Sequence, residues 1–125
     1  MIAGLRRRRN PTRVSAAWAH ENRLAGHVVL IEVRPERGWR EGGRPEGSVP
    51  VPWEAEGPWE AEGGFEDAVL ASARGDHARP LVLTCLTGKR STLAARRLAE
   101  VGHLDVRVLR GGIGAWKAAG LPTTQ

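Results

Sequence analysis

The chain has 125 residues, 41% of them apolar and 26% charged, which fits a single globular core and excludes both a disordered polar chain and a disulfide scaffold. No apolar run approaches the roughly 18 residues that a helix needs to cross a bilayer, so no membrane partner is expected. The formal charge is +5, but Arg6 to Arg9 carry four of those charges; the rest of the chain, at +1, offers no broad basic face for nucleic acid.

Residues 1–10 therefore read as a solvated basic tail, since runs of like charge tend to stay unfolded, and residues 11–125 as one domain. A secretory leader would need a long apolar segment after the basic block. Asn10, Pro11, Thr12 and Arg13 stand there instead, and Ala16 to Ala19 is too short to serve, so a cytoplasmic location is expected.

Arg13 and Val14 fit a very short strand, after which Ser15 caps a helix carrying Ala16, Trp18, Ala19 and Leu24 as far as Gly26. Val28 to Val33, an apolar Val-Val-Leu-Ile run closed by Glu32, Val33 and Arg34, is of the kind that forms a buried parallel strand. Pro35 to Gly47 has no clear period and reads as loop with one helical turn. Ser48 to Trp53 alternates Val with Pro; because proline cannot donate to a ladder, any strand here belongs at a sheet edge.

The six residues Pro52 to Gly57 recur as Pro58 to Gly63, a local duplication too short for a solenoid and read as a surface loop. Of its two tryptophans, Trp53 and Trp59, one is expected to pack on the domain and the other to face solvent. Phe65, Val69, Leu70 and Ala73 then share a helical face, with Glu66 and Asp67 in the first turn where the helix dipole favours them, and Gly75 ends the helix.

Leu81 to Thr84 is a second buried strand and runs directly into Cys85. A helix follows with Leu93, Ala94, Leu98 and Val101 predicted inward and Arg96, Arg97 and Glu100 outward, stopping at Gly102. Val106 to Leu109 is a further strand. Gly111 and Gly112 turn the chain into a last short helix with Ile113, Trp116 and Ala119, ended by Gly120 and Pro122. Alternating strands and helices predict an α/β fold around a mostly parallel sheet of about five strands flanked by helices.

Cys85 is the one cysteine, so no internal disulfide and no thiolate metal cluster can form, and His20, His27, His77 and His103 show no ligand spacing. No metal or cofactor is expected. The informative feature is a strand, then Cys85, Leu86, Thr87, Gly88, Lys89, Arg90 and Ser91, then a helix. The carboxyl ends of strands in open α/β sheets are where ligands bind. Residues 86 to 90 must reverse into the helix, so several of their backbone N–H groups can converge on one point, with Gly88 free to take a positive φ. Those groups, the helix N-terminus and the charges of Lys89 and Arg90 favour a thiolate over a thiol at Cys85, and a nucleophile over an inert packed cysteine.

The stretch from Cys85 to Ser91 resembles the active-site loop of the rhodanese (sulfurtransferase) superfamily. Leu30 to Arg34 resembles the acidic-Val-Arg ending of that family's first long strand, Gly43 to Pro52 its Gly-His-x-x-Gly-Ala segment, and Val108 to Trp116 with Gly120 to Pro122 its closing motif. The match spans about residues 13 to 122. Glu32 stands where the family usually has Asp, and Arg44 where it usually has His, both structural positions, so altered local packing is expected there.

The resemblance implies that Cys85 takes the outer sulfur of thiosulfate or another sulfane donor, releases sulfite, and passes the sulfur from a persulfide to cyanide, a small thiol or an acceptor protein. Leu86 to Arg90 would bind the anionic sulfur and its donor, and the Ser91 hydroxyl adds a further group to the cradle. Two rival functions stand beside it. A phosphatase or arsenate reductase of the related fold carries one more residue between Cys and Arg than the four that separate Cys85 from Arg90, and arsenate reduction wants a second thiol. A non-catalytic interaction module of the same fold would use its exposed tryptophans and need no reactive cysteine.

Overall fold

The computed structural model describes residues 10–53 and 64–125. The Arg6 to Arg9 tail, Trp59 and most of the duplicated segment lie outside the described residues. Twelve elements follow one another among those described: β1 (Thr12–Val14), α1 (Ala16–Leu24), β2 (Val29–Glu32), α2 (Glu36–Trp39), β3 (Arg44–Pro45), β4 (Val49–Pro50), α3 (Gly64–Ser72), β5 (Leu81–Thr84), α4 (Lys89–Glu100), β6 (Val106–Leu109), α5 (Gly112–Ala118) and β7 (Thr123–Thr124).

Five strands form one sheet in the order β1-β6-β5-β2-β4, with every pairing parallel. The largely apolar sequences of β2 (Val-Leu-Ile-Glu), β5 (Leu-Val-Leu-Thr) and β6 (Val-Arg-Val-Leu) suit its centre, where both pleat faces are covered. Ile31, Leu81, Leu83 and Val108 face a core shared with Phe65, Val69, Ala94 and Leu98. The alternate residues Leu30, Val82 and Leu109 face a second core with Ala16, Ala19, Ile113 and Trp116. Helices α3 and α4 thus cover one face and α1 and α5 the other. Each fully buried Leu or Ile of this sheet contributes about 1.5–3 kcal/mol.

Local signals explain most boundaries. Ser15 caps α1, its hydroxyl accepting the Trp18 N–H at 3.1 Å. The alternating Val-Pro segment supplies β4 at the sheet edge, where Pro50 needs no ladder donor; only Val49 and Pro50 of the expected Ser48 to Trp53 are strand, parallel to Ile31 and Glu32. The helical turn expected between Pro35 and Gly47 is α2. A small antiparallel pair, Arg44 with Thr124 and Pro45 with Thr123, closes the chain's end onto this region and had no sequence signal.

Helix α4 is rotated from the expected phase. Ser91, Ala94, Ala95 and Leu98 face inward, whereas Leu93 and Val101, predicted to be buried, are 45% and 37% exposed. Small side chains at 94 and 95 let the helix approach the sheet closely. The same phase brings Ser91 beneath the end of β5, where Cys85 lies, and leaves Leu93 on the far side of the helix.

Candidate functional site: a thiol in an amide loop

Strand β5 delivers Cys85 to the carboxyl edge of the sheet, beside β2 and β6. The residue is 2% exposed and its flank joins the α3–α4 core, but the sulfur meets polar groups. The Gly88 N–H donates to Sγ at 3.1 Å, the Ser91 N–H at 3.4 Å, and the Ser91 hydroxyl oxygen stands 3.3 Å away. Sulfur thus takes the place of a side-chain cap for the third N–H of α4, one of the groups that no intrahelical carbonyl can satisfy.

Gly88 makes this possible. Its φ of +104° would strain any residue with a side chain, and its carbonyl is held by the Thr92 N–H at 3.0 Å, the Thr92 hydroxyl at 2.7 Å and the Ser91 hydroxyl at 3.2 Å. With the carbonyl fixed into the helix, the Gly88 N–H is left aimed at sulfur. The first-turn N–H groups of Lys89 and Arg90 also lack intrahelical acceptors by the geometry of any α-helix.

Ser91 has two arrangements open to it. While Cys85 is a thiol, its S–H can donate to the Ser91 oxygen as that hydroxyl donates to the Gly88 carbonyl. Once Cys85 loses its proton, the hydroxyl can turn and donate to sulfur, so a thiolate would collect two N–H groups and one O–H. Hydrogen bonds to an ion are about twice as strong as neutral ones, and these three groups are donors that an anionic sulfur could use.

The structure brings the predicted residues together unequally. Of the N–H groups expected from residues 86 to 90, the Gly88 group reaches Sγ, and the second amide donor is Ser91, one residue beyond that range. Leu86 is 62% exposed, and Thr87 and Lys89 also lie in solvent at the rim of the loop. Arg90 does not lie free over the loop: its Nη1 donates to the Trp53 carbonyl at 3.2 Å. Trp53, 8% exposed and packed edge-on against Phe65 with ring centroids 6.4 Å apart, is thus the packed tryptophan of the expected pair.

Two contributors had weaker signals. The Ile113 N–H donates to the Cys85 carbonyl at 3.0 Å, and Gly112 presses on the same peptide, yet in the sequence Gly111 and Gly112 indicate only a turn. The Trp53 carbonyl belongs to backbone and has no sequence signature. At the two departures from the rhodanese pattern, the local packing is explicit. Glu32 pairs with Arg34, and Arg44 donates to the Ser48 carbonyl at 2.5 Å while its guanidinium lies 4.9 Å from the centre of the Trp39 ring.

The fold and this loop define a class: parallel α/β domains that present one cysteine in a strand-to-helix turn lined by amides. The chain belongs to the Rhodanese-like domain family, whose sequence pattern matches residues 15–119. It is 30% identical over 115 residues to the chloroplastic thiosulfate sulfurtransferase 16 of Arabidopsis thaliana, covering 92% of this chain and 94% of that one. The fold is similar to that of the polysulfide-sulfur transferase homodimer of Wolinella succinogenes, with TM-score 0.71 and 24% identity over 91% of this chain and 78% of that one. It is also similar to a protein of Rhodopseudomonas palustris described as a possible tyrosine phosphatase, with TM-score 0.66 and 26% identity over 91% of this chain and 85% of that one.

Among the described residues no helix is long and apolar enough to cross a membrane, and no group of three or more His, Cys, Asp or Glu could hold a metal ion.

Proposed function

We propose that the protein is a sulfurtransferase that moves sulfane sulfur through a persulfide on Cys85, with thiosulfate as a donor. The observation that carries this reading is the pair of N–H groups and the hydroxyl on Sγ, at 3.1, 3.4 and 3.3 Å. The Cys85 thiolate attacks the outer sulfur of thiosulfate, a new S–S bond forms, and the donor's own S–S bond breaks with its electron pair leaving on sulfite. The persulfide keeps the negative charge. A nucleophilic acceptor, cyanide or a thiol, then takes the terminal sulfur and returns Cys85 as thiolate.

The loop residues divide the work. Gly88 and Ser91 hold the Cys85 sulfur. Leu86, Thr87, Lys89 and Arg90 offer backbone N–H groups to the terminal sulfur and to the departing anion, and the exposed Lys89 ammonium adds charge attraction for an anionic donor. With one thiol in the chain, the sulfur must pass to an outside acceptor, a small thiol or a protein, which suits the reducing thiol pool of the cytoplasm.

Phosphate-ester hydrolysis is less well supported. It needs a cradle for a tetrahedral oxyanion with its arginine turned onto the phosphate, whereas four residues separate Cys85 from Arg90 and Nη1 of Arg90 is held by Trp53. A purely binding module would need the sulfur only as a cap for the Ser91 N–H, and leaves the Gly88 N–H and the hydroxyl on it without a role.

Mass spectrometry after exposure to thiosulfate or polysulfide tests the proposal: one sulfur atom is expected on Cys85, and failure to load from every sulfane donor overturns the enzymatic reading. In the same assay Lys89→Ala is expected to weaken loading from thiosulfate more than from polysulfide, because the first donor presents more charge to the lost ammonium.

A further inference from the structure

Gly112 opens α5 with φ +56°, against the back of the cysteine loop. A methyl group on its Cα would stand 2.4 Å from the Cys85 carbonyl oxygen, 2.5 Å from the Leu86 carbonyl oxygen and 2.7 Å from the Leu86 carbonyl carbon. These are backbone atoms, which cannot rotate aside as a side chain would. The neighbouring Ile113 N–H donates to the Cys85 carbonyl at 3.0 Å. Two consecutive carbonyls of the loop therefore rest on the β6–α5 turn.

That contact sets the direction of the other half of each peptide. In a trans peptide the C=O and N–H point opposite ways. With the Cys85 and Leu86 carbonyls seated on Gly112, the N–H groups of Leu86 and Thr87 point away from α5.

We infer that Gly112 is a positioning residue for Cys85: its bare Cα seats the first two peptides of the loop so that the Leu86 and Thr87 N–H groups face the side from which Gly88 and Ser91 reach the sulfur. The identity of the atom those N–H groups receive, the terminal sulfur of a persulfide, rests on the sulfur-transfer reading. The effect on Cys85 itself does not.

Two other glycines supply the controls. Gly120 has φ +73° with nothing within 4 Å of an added methyl group, so Gly120→Ala imposes backbone strain without a clash. Gly111 has φ +76°, and its added methyl group would meet the Ala115 side chain at 2.8 Å, inside α5 rather than on the loop. If strain or damage to α5 were the whole story, these variants would behave as Gly112→Ala does.

The experiment follows iodoacetamide alkylation of Cys85 against pH in the full chain, together with kcat and KM for sulfur transfer from polysulfide and the thermal midpoint. Gly112→Ala is expected to displace the alkylation profile toward higher pH and to lower kcat about tenfold with KM little changed, the size of effect expected when hydrogen bonding to an anion is weakened. Gly120→Ala and Gly111→Ala are expected to lose thermal stability while keeping the wild-type profile. A Gly112→Ala profile that overlays the wild type, or an equal displacement in either control, overturns the inference.

Should Gly112→Ala not fold, replacing the Ile113 amide by an ester, with the α-hydroxy acid of isoleucine introduced by semisynthesis, carries the same expectation. It removes the N–H donor to the Cys85 carbonyl while keeping the Ile113 side chain in its core, and an unchanged profile there overturns the inference equally. If the wild type takes sulfur from no donor, the functional reading fails while the alkylation profiles still decide the role of Gly112.

Discussion

Strands β2 and β5 lie side by side, Glu32 in register with Thr84, and each ends in a group that can carry negative charge, but the two ends treat that charge in opposite ways. At β2 the fully buried Glu32 carboxylate receives Nη2 of Arg34 at 2.8 Å, Nε at 3.1 Å and the Arg34 backbone N–H at 3.0 Å, while the same guanidinium also donates to the Gly38 and Gly43 carbonyls. Charge meets countercharge and the site is closed. At β5 the sulfur meets two N–H groups and a hydroxyl, all neutral. Dipoles can stabilise a charge there without forming an ion pair. At β2 the charge is neutralised by a partner; at β5 the sulfur is ringed by dipoles with no full countercharge among its hydrogen-bond partners.

Substitutions can separate the two ends. The largest expected effect is at β5: Cys85→Ser should abolish sulfur loading in the mass spectrum while changing folding stability by less than about 1 kcal/mol, since the hydroxyl can keep the same neighbours. The reverse is expected at β2. Glu32→Ala leaves Arg34 buried without its carboxylate and should cost about 3–5 kcal/mol in denaturant unfolding, with the folded fraction still able to load sulfur. If Glu32→Ala instead removed activity from folded protein, the contrast between the two ends would be broken.

A finer test removes one donor. Ser91→Ala keeps the amide on sulfur and deletes the hydroxyl, so loading should slow about five- to tenfold, matching a hydrogen bond of about 1–1.5 kcal/mol. An unchanged rate would leave the Gly88 and Ser91 N–H groups as the donors that matter at Sγ.

The smallest effect lies at the other end of β5. His103, buried against His77 with ring centroids 4.9 Å apart, titrates below its ordinary value of 6.5, chiefly because burial disfavours the charged ring and then because His77 repels it. The unfolded chain therefore takes up the proton first, and stability should fall as pH drops through 6.5 toward the lower folded-state value, then level off. His103→Gln should flatten that decline in pH-dependent thermal melts, leaving the rate of sulfur loading unchanged.

Much of this layout was legible along the chain because it depends on near neighbours. Ser15 before an amphipathic stretch, the apolar run of Leu81 to Thr84 ending at Cys85, and a glycine three residues after the cysteine each carry their physics locally. Prolines 50 and 52 likewise announced an edge segment by lacking donors. Where the reading went astray, distant partners had decided. Leu93 and Val101 satisfy a helical period, but the helix turned so that Ser91, Ala94 and Ala95 could approach the sheet and the sulfur. The β3–β7 pair joins residues far apart in the chain, with no pattern in either segment.

The sequence by itself determined the alternation of strands and helices, the single thiol at a strand end, and the spacing of the loop behind it, because hydrophobic period, glycine freedom and residue count act over a few residues. Only the tertiary structure decided which amides face the sulfur, that Arg90 is held by the Trp53 carbonyl, and that Gly112 lies against the Cys85 and Leu86 carbonyls. Each of those contacts has a backbone atom as one partner, and backbone atoms are the same in every sequence; where they meet depends on how the whole sheet packs.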